Sequence, residues 1–349
     1  MPYTTINKST DYFNTKLYTG NGSTQSITGV GFRPDFIWQK ERSSTSYHVL
    51  TDAVRGNTKQ LFSNVNAVEA TDSNYITSFD SDGFGQGQNN DTNENSQTYV
   101  SWNWKAGTTG SGYTSGSGTS KAYSYSVNTT AGFSIIKFKG NGTAGHTIPH
   151  HLGVAPDLVI LKRLDNANNW YIWGSAKTGL DANQQVELNN PTAAYNPGGN
   201  YHNDTRPSST VVTLGDDAGS NGNDNDIIIY AFASKTGYMK IGHYTGNGST
   251  DGTYVNTGFA PSLVAYKNLT QSDEWFVKDN KRPGYNPTDL MFWSANNAEV
   301  TNLDRMDIFS NGFKATTTDK GANANGNKYL YIAIGQSLVG SNNVPCTAR

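Results

Sequence analysis

The stretch YTGNGST occupies residues 18–24 and returns letter for letter at 244–250, with a near copy, FKGNGTA, at 138–144. Anchored on these triplets, three long segments align, starting at Phe13, Phe133 and Met239. Pro34, Pro156 and Pro261 are each followed six residues later by Lys40, Lys162 and Lys267, and twelve residues further on by Asp52, Gly174 and Asp279. Each segment then crosses a polar middle and ends in an apolar run: YVSWNWK (99–105), IIIYAFAS (227–234) and YLYIAIG (329–335). Repetition on this scale restricts the chain to folds built from copies of one unit.

The unit itself reads as β. In the last run of each copy, Val100, Trp102 and Trp104 match Ile228, Tyr230 and Phe232, then Leu330, Ile332 and Ile334, so one face stays apolar at period two. FIWQK, LVILK and SLVAYK are apolar on both faces, as expected of strands covered by two layers. Charged residues make up only 15% of the chain while Gly supplies 37 residues, a balance that suits short strands and tight turns rather than long helices. Asn-Gly between strand-like runs predicts a hairpin. The rival, a phosphate-cradling loop, would need a helix after the glycines, and STQSITGVG has no helical period. The expectation is an all-β chain of three tandem antiparallel β-sandwich domains: 1–106, 122–236 and 237–349. Residues 107–121, GTTGSGYTSGSGTS and its flank, read as a flexible linker. The second and third domains are joined only by SKTG (234–237), so the first domain is expected to move against a stiffer pair.

Composition removes several functions. A net charge of −2 with no basic run argues against nucleic acid. Cys346 is the sole cysteine, so an intrachain disulfide is impossible. No apolar stretch is long enough to span a bilayer and MPYTTINKSTDYF does not read as a signal peptide, so no membrane insertion is expected. The glucanase pattern E-x-D-x-x-E is absent, and Asp216 and Asp217 are neighbours that would point apart on a strand, so no catalytic residue is assigned. His146, His150 and His151 cluster in one loop without an acid or cysteine; a turn is expected rather than a metal site, and no cofactor is expected. FDSDGF (79–84) departs from a calcium loop at its central glycine and reads as a turn before a strand.

Two further sets are candidates for contact. Asp52 with Arg55, and Asp279 with Arg282, recur at one spacing, as an ion-paired turn or as a contact with a neighbouring subunit. Opposite the inward Leu50, Ile172 and Val277 fall Thr51, Trp173 and Lys278. Trp173, with Tyr171 on the same face, is therefore expected to be exposed, as a sugar-stacking platform, a docking anchor or a packing surface for a neighbouring domain.

PDFIWQKERS, HVLTDAVRG, SFDSDGF and YVSWNWKAG together resemble repeat domains of virion structural proteins from marine tailed phages, and NTTAGFSIIKFKGNGTAGHTIPHHLGVAPDLVILKR resembles a second repeat type in the same proteins. The resemblance covers nearly the whole chain and implies a concanavalin-like lectin/glucanase sandwich on a particle. It implies a non-enzymatic virion protein of the tail or an appendage, present in several copies. Its partners would be other virion proteins and host surface carbohydrate. The alternatives are a capsid decoration protein without a host ligand and a carbohydrate-active enzyme with atypical acids. Two departures stand out: Ser262 replaces the Asp35 and Asp157 of the other copies, and the Arg-Gly turn is lost in the second.

Overall fold

Alternating apolar residues become strands throughout: strand accounts for 42% of the chain and helix for 4%, so the protein is all-β. The computed structural model describes residues 4–301 and 303–339; Cys346 and the end of the third segment lie outside them.

Each copy supplies a large and a small antiparallel sheet. The large sheet of the first copy runs Phe13–Thr19, Thr98–Trp104, Phe36–Glu41, Val49–Asp52, Lys59–Phe62, Ala70–Thr71. The same order recurs in the second as Phe133–Lys139, Asp226–Phe232, Leu158–Arg163, Trp170–Gly174, Val186–Glu187, and in the third as Met239–Thr245, Lys328–Gln336, Ala260–Asn268, Trp275–Asp279, Met291–Phe292. In every copy the last strand is inserted between the first and third. Three-stranded small sheets cover one face of each: Gln25–Thr28, Gly83–Gln86 and Ile76–Asp80 in the first copy, and their counterparts around His146–Pro149 and Gly312–Ala315.

The Asn-Gly turn is not a hairpin. The strands on either side of it, Phe13–Thr19 and Gln25–Thr28, belong to different sheets, so the turn is a corner carrying the chain from the large sheet to the small one. Gly22, Gly142 and Gly248 hold φ of 67°, 71° and 67°, which glycine adopts freely. A hairpin and a corner need the same permissive residues, so local sequence does not separate them.

The segment read as a flexible linker is built into the sheets. Thr108–Tyr113 pairs along its length with Ala122–Asn128, which pairs with Phe133–Lys139, and Ser115–Gly116 pairs with His146–Pro149. Gly110 and Gly112 sit under the rings of Tyr125 and Tyr123, leaving no room for a side chain. Here glycine permits close approach rather than freedom.

Between the large and small sheets lie three local cores, centred on Ile37 and Phe84, on Ile136 and Trp173, and on Tyr266 and Phe313. The other faces of the three large sheets meet one another. Trp38 and Trp102, Ile160 and Tyr230, and Ala265 and Ile332 all belong to one continuous apolar cluster. Phe36 stacks on Tyr230 at 4.6 Å and Trp38 on Trp293 at 4.3 Å. A void of about 20 Å³ remains where the sheets converge, lined by Trp38, Trp104, Leu263 and Ile332 among others, with no polar lining surface. An apolar void of this kind stays dry.

Equivalent hydrogen bonds close the arrangement into a ring. The Glu69 amide donates to Leu164 O (2.9 Å), the Ala194 amide to Leu269 O (3.0 Å) and the Glu299 amide to Arg42 O (2.9 Å). In return the amides of Asn168, Asp273 and Ser46 donate to the carbonyls of Asn66, Pro191 and Asn296. Contacts thus run first to second, second to third and third to first. The expected motion of the first domain against the other two is incompatible with this shared core and its three seams. At the start of the ring the Ser9 amide donates to Gln336 Oε1 (2.8 Å), and Gln336 Nε2 reaches Asn7 O (3.0 Å).

Candidate functional site

The recurrent Asp–Arg pairs lie inside the molecule. Arg55 Nε donates to Asp52 Oδ2 at 2.5 Å and Arg55 Nη1 to Glu69 at 3.1 Å, while Tyr230 Oη of the second copy donates to Asp52 at 2.7 Å. At another seam Arg282 Nε bonds Asp279 Oδ2 (2.6 Å), Arg282 Nη1 bonds Glu299 (2.7 Å), and Trp102 Nε1 of the first copy donates to Asp279 (3.0 Å). The four side chains Asp52, Arg55, Asp279 and Arg282 have no exposed surface, so they cannot meet another subunit. They lock neighbouring copies of one chain. Burial works against the charge on Arg55 and Arg282, but the facing carboxylates outweigh it and hold both guanidinium groups above their ordinary pKa.

At the remaining seam every member of this lock is changed. Gly174 stands for the aspartate, Lys177 for the arginine, Ala194 for the glutamate and Ile332 for the tyrosine or tryptophan. Partial loss would leave a buried charge unpaired, which costs far more than losing the whole set.

Trp173 and Tyr171, expected to be exposed, are 2% and 4% exposed. The parity assignment was correct, since both face away from the shared core, but that second face is covered by the small sheet and its loops. Trp173 stacks on His202 at 5.4 Å, and Tyr171 donates to Asn168. Neither can serve as a sugar platform. The clustered histidines go to separate partners: His146 between Asn221 and Thr114, His150 against Ser208 O, His151 against Tyr123 and stacked on Tyr125 at 3.7 Å. Among the described residues no three His, Cys, Asp or Glu side chains converge as metal ligands. In FDSDGF, the Asp82 carboxylate accepts the Gly29 and Gly31 amides (3.0 and 2.6 Å), a turn as expected.

Three asparagines emerge that the repeat alignment could have named. Asn93 Oδ1 accepts the Asn21 amide (3.0 Å), its carbonyl accepts the Gly22 amide (2.9 Å), and its Nδ2 donates to Ser23 O (2.5 Å) and Gly87 O (2.6 Å). Asn221 and Asn323 grip the other two corners in the same way. All three are fully buried. Their signal is N-x-N six residues before the last strand's apolar run: NEN, NGN and NAN at 93–95, 221–223 and 323–325.

A family model described as a domain of unknown function (DUF7483) matches residues 8–337, the span containing all three sheet pairs and all three seams. The chain belongs to this family. No curated protein matches it. The DUF7483 unit therefore encloses the whole ring rather than one copy.

Open clefts on the described surface of this DUF7483 ring include two beside the third copy. One, of about 520 Å³, is lined by Gly284, Tyr285, Asn286, Ile308 and Phe309, with Tyr285 71% exposed. The other, of about 330 Å³, lies where the second copy joins the third and is lined by Lys177, Ser234, Lys235, Thr236, Lys240 and Thr257, among others. Lys177 pairs with Asp157 (3.1 Å) and Lys240 donates to Asn256 O (2.6 Å). Among the described residues Lys235 Nζ has no acidic neighbour, and burial alone lowers its pKa.

Proposed function

We propose that this DUF7483 chain is a non-enzymatic structural component of a tailed-phage particle, carried on the tail or another appendage and turned toward host surface glycans. The observation that carries the reading is the use made of its ionisable groups. The recurrent aspartates and arginines of the turns, with two of the four buried lysines, join one copy to the next. Lys162 Nζ, for example, donates to Asn66 O (3.2 Å) and Lys267 Nζ to Pro191 O (2.8 Å). Such a chain is a rigid block suited to assembly. The sequence resemblance to virion repeat domains points the same way.

The cyclic arrangement favours a second reading, a decoration protein on a head lattice, because a threefold body matches a lattice position of the same symmetry. Cryo-electron microscopy of intact particles, with the chain's density located, tests both. Density on a tail appendage supports the first reading and density on the head lattice the second. Absence of the chain from purified particles, or hydrolysis of a polysaccharide by the isolated protein, overturns the proposal.

A further inference from the structure

The seam that lost its lock is also where three lysines gather. In the first and third copies the basic residue of the turn, Arg55 or Arg282, is buried and held by two carboxylates. In the second copy Gly174 and Ala194 offer no carboxylate, and Lys177 turns outward with its side chain 63% exposed. It reaches the rim of the 330 Å³ cleft that Lys235 and Lys240 also line. Among the described residues the only carboxylate touching these three ammonium groups is Asp157, on Lys177, and it also accepts the Ser234 amide (3.0 Å) and the Ser175 hydroxyl (2.9 Å). Among the described residues no acidic side chain lines the cleft, so Lys235, and Lys240 beyond its bond to Asn256 O, carry positive charge that no carboxylate balances in a concave, partly desolvated place, where an anion gains most.

We propose that this cleft binds an acidic sugar, its carboxylate or sulfate ester held by the ammonium groups of Lys235 and Lys240 with Lys177 at the rim. The volume is at the lower end of the small-ligand range and accommodates a sugar residue or two rather than a large cofactor. The hydroxyl-bearing Ser234, Thr236 and Thr257 share the wall with the lysines, while Met239, Ile241 and Phe259 supply apolar surface against which a sugar's ring face can lie. The site deepens the glycan-facing part of the proposed function and takes the sugar's biological source from it, while the chemistry of binding stands on the cleft alone.

Isothermal titration of the full chain at low salt tests it, with a uronate oligosaccharide, a sulfated oligosaccharide, a neutral oligosaccharide and inorganic sulfate as separate probes. The expected result is binding of at least one charged sugar, none of the neutral one, and weakening as salt rises. The double variant Lys235→Gln/Lys240→Gln is expected to lose affinity by about tenfold or more, the equivalent of one charge-assisted bond, with the thermal midpoint unchanged. No binding of either charged sugar, full binding by the double variant, or inorganic sulfate binding as tightly as the sugars would each overturn the proposal. These outcomes are independent of where the chain sits on a particle, which the microscopy decides.

Discussion

Single side chains decide the corners and the pH response. Asn93 satisfies backbone groups of two loops at once, so Asn93→Ala leaves buried amides and carbonyls without partners. The expected cost is about 3 kcal/mol in urea unfolding, against less than about 0.5 kcal/mol for the exposed Ser23→Ala in the same corner. Equal effects from the two would remove Asn93 from its role as the clamp. His48, His146, His150 and His202 have pKa values depressed first by burial. Trp38 Nε1 donates to His48 Nδ1 (2.9 Å), which requires a neutral ring there. A histidine whose folded pKa lies below its unfolded value of about 6.5 contributes stability that is complete above that pH and is lost as pH falls toward the folded value. The melting temperature is therefore expected to drop steadily below about pH 6.5; a flat profile down to pH 4.5 contradicts the buried neutral rings. At this scale the sequence was half legible. It marked the glycines, because positive φ is a local demand. Their partner asparagines share one spacing, but their role as clamps is not legible in it, because a clamp forms only once two distant loops are brought together.

Strands and seams carry the next level. Parity along the strands was readable, and it placed Trp102, Leu50 and Trp173 on the correct faces. What parity cannot say is whether the second face meets water. In this fold both faces of each large sheet are covered, so exposure inferred for Trp173 and Tyr171 failed while orientation held. The Asp52–Arg55 spacing was likewise visible, but its partner Tyr230 lies in another copy, beyond the reach of any local pattern. The locks make a quantitative prediction about coupling. Arg55→Met alone leaves Asp52 buried without a cation, held only by the Tyr230 hydroxyl and turn amides, while Glu69 keeps Lys59 at 3.6 Å, at a cost of about 3 kcal/mol. Replacing the full set with the residues of the second-to-third seam, Asp52→Gly, Arg55→Lys, Glu69→Ala and Tyr230→Ile, is expected to cost at least about 2 kcal/mol less than the sum of the four single changes. Additive unfolding energies across these five variants would show that the seams are not networks.

Across the whole molecule, cooperativity is the property at stake. A continuous apolar cluster and three hydrogen-bonded seams couple the copies, so calorimetry is expected to show one unfolding transition with matching calorimetric and van't Hoff enthalpies. Separate transitions, or protease release of an intact first copy by cutting within 107–121, would instead favour independent domains. That segment misled because Gly, Ser and Thr in sequence suit both a loose tether and a sheet edge overlain by tyrosines.

The hydrogen bonds that tie Asn7 and Ser9 to Gln336 bring the segment before the first copy against the end of the third copy's last strand. A closed circuit has no privileged point of entry. A protein of residues 4–339 with these two segments joined by a short linker and the chain reopened within SKTG should refold to the same body, its urea midpoint lowered by the loss of the Lys235–Met239 bridge and the Lys235–Tyr238 turn that the new opening cuts. Failure of the permutant to fold would mean that the order of synthesis, and not closure alone, shapes the circuit.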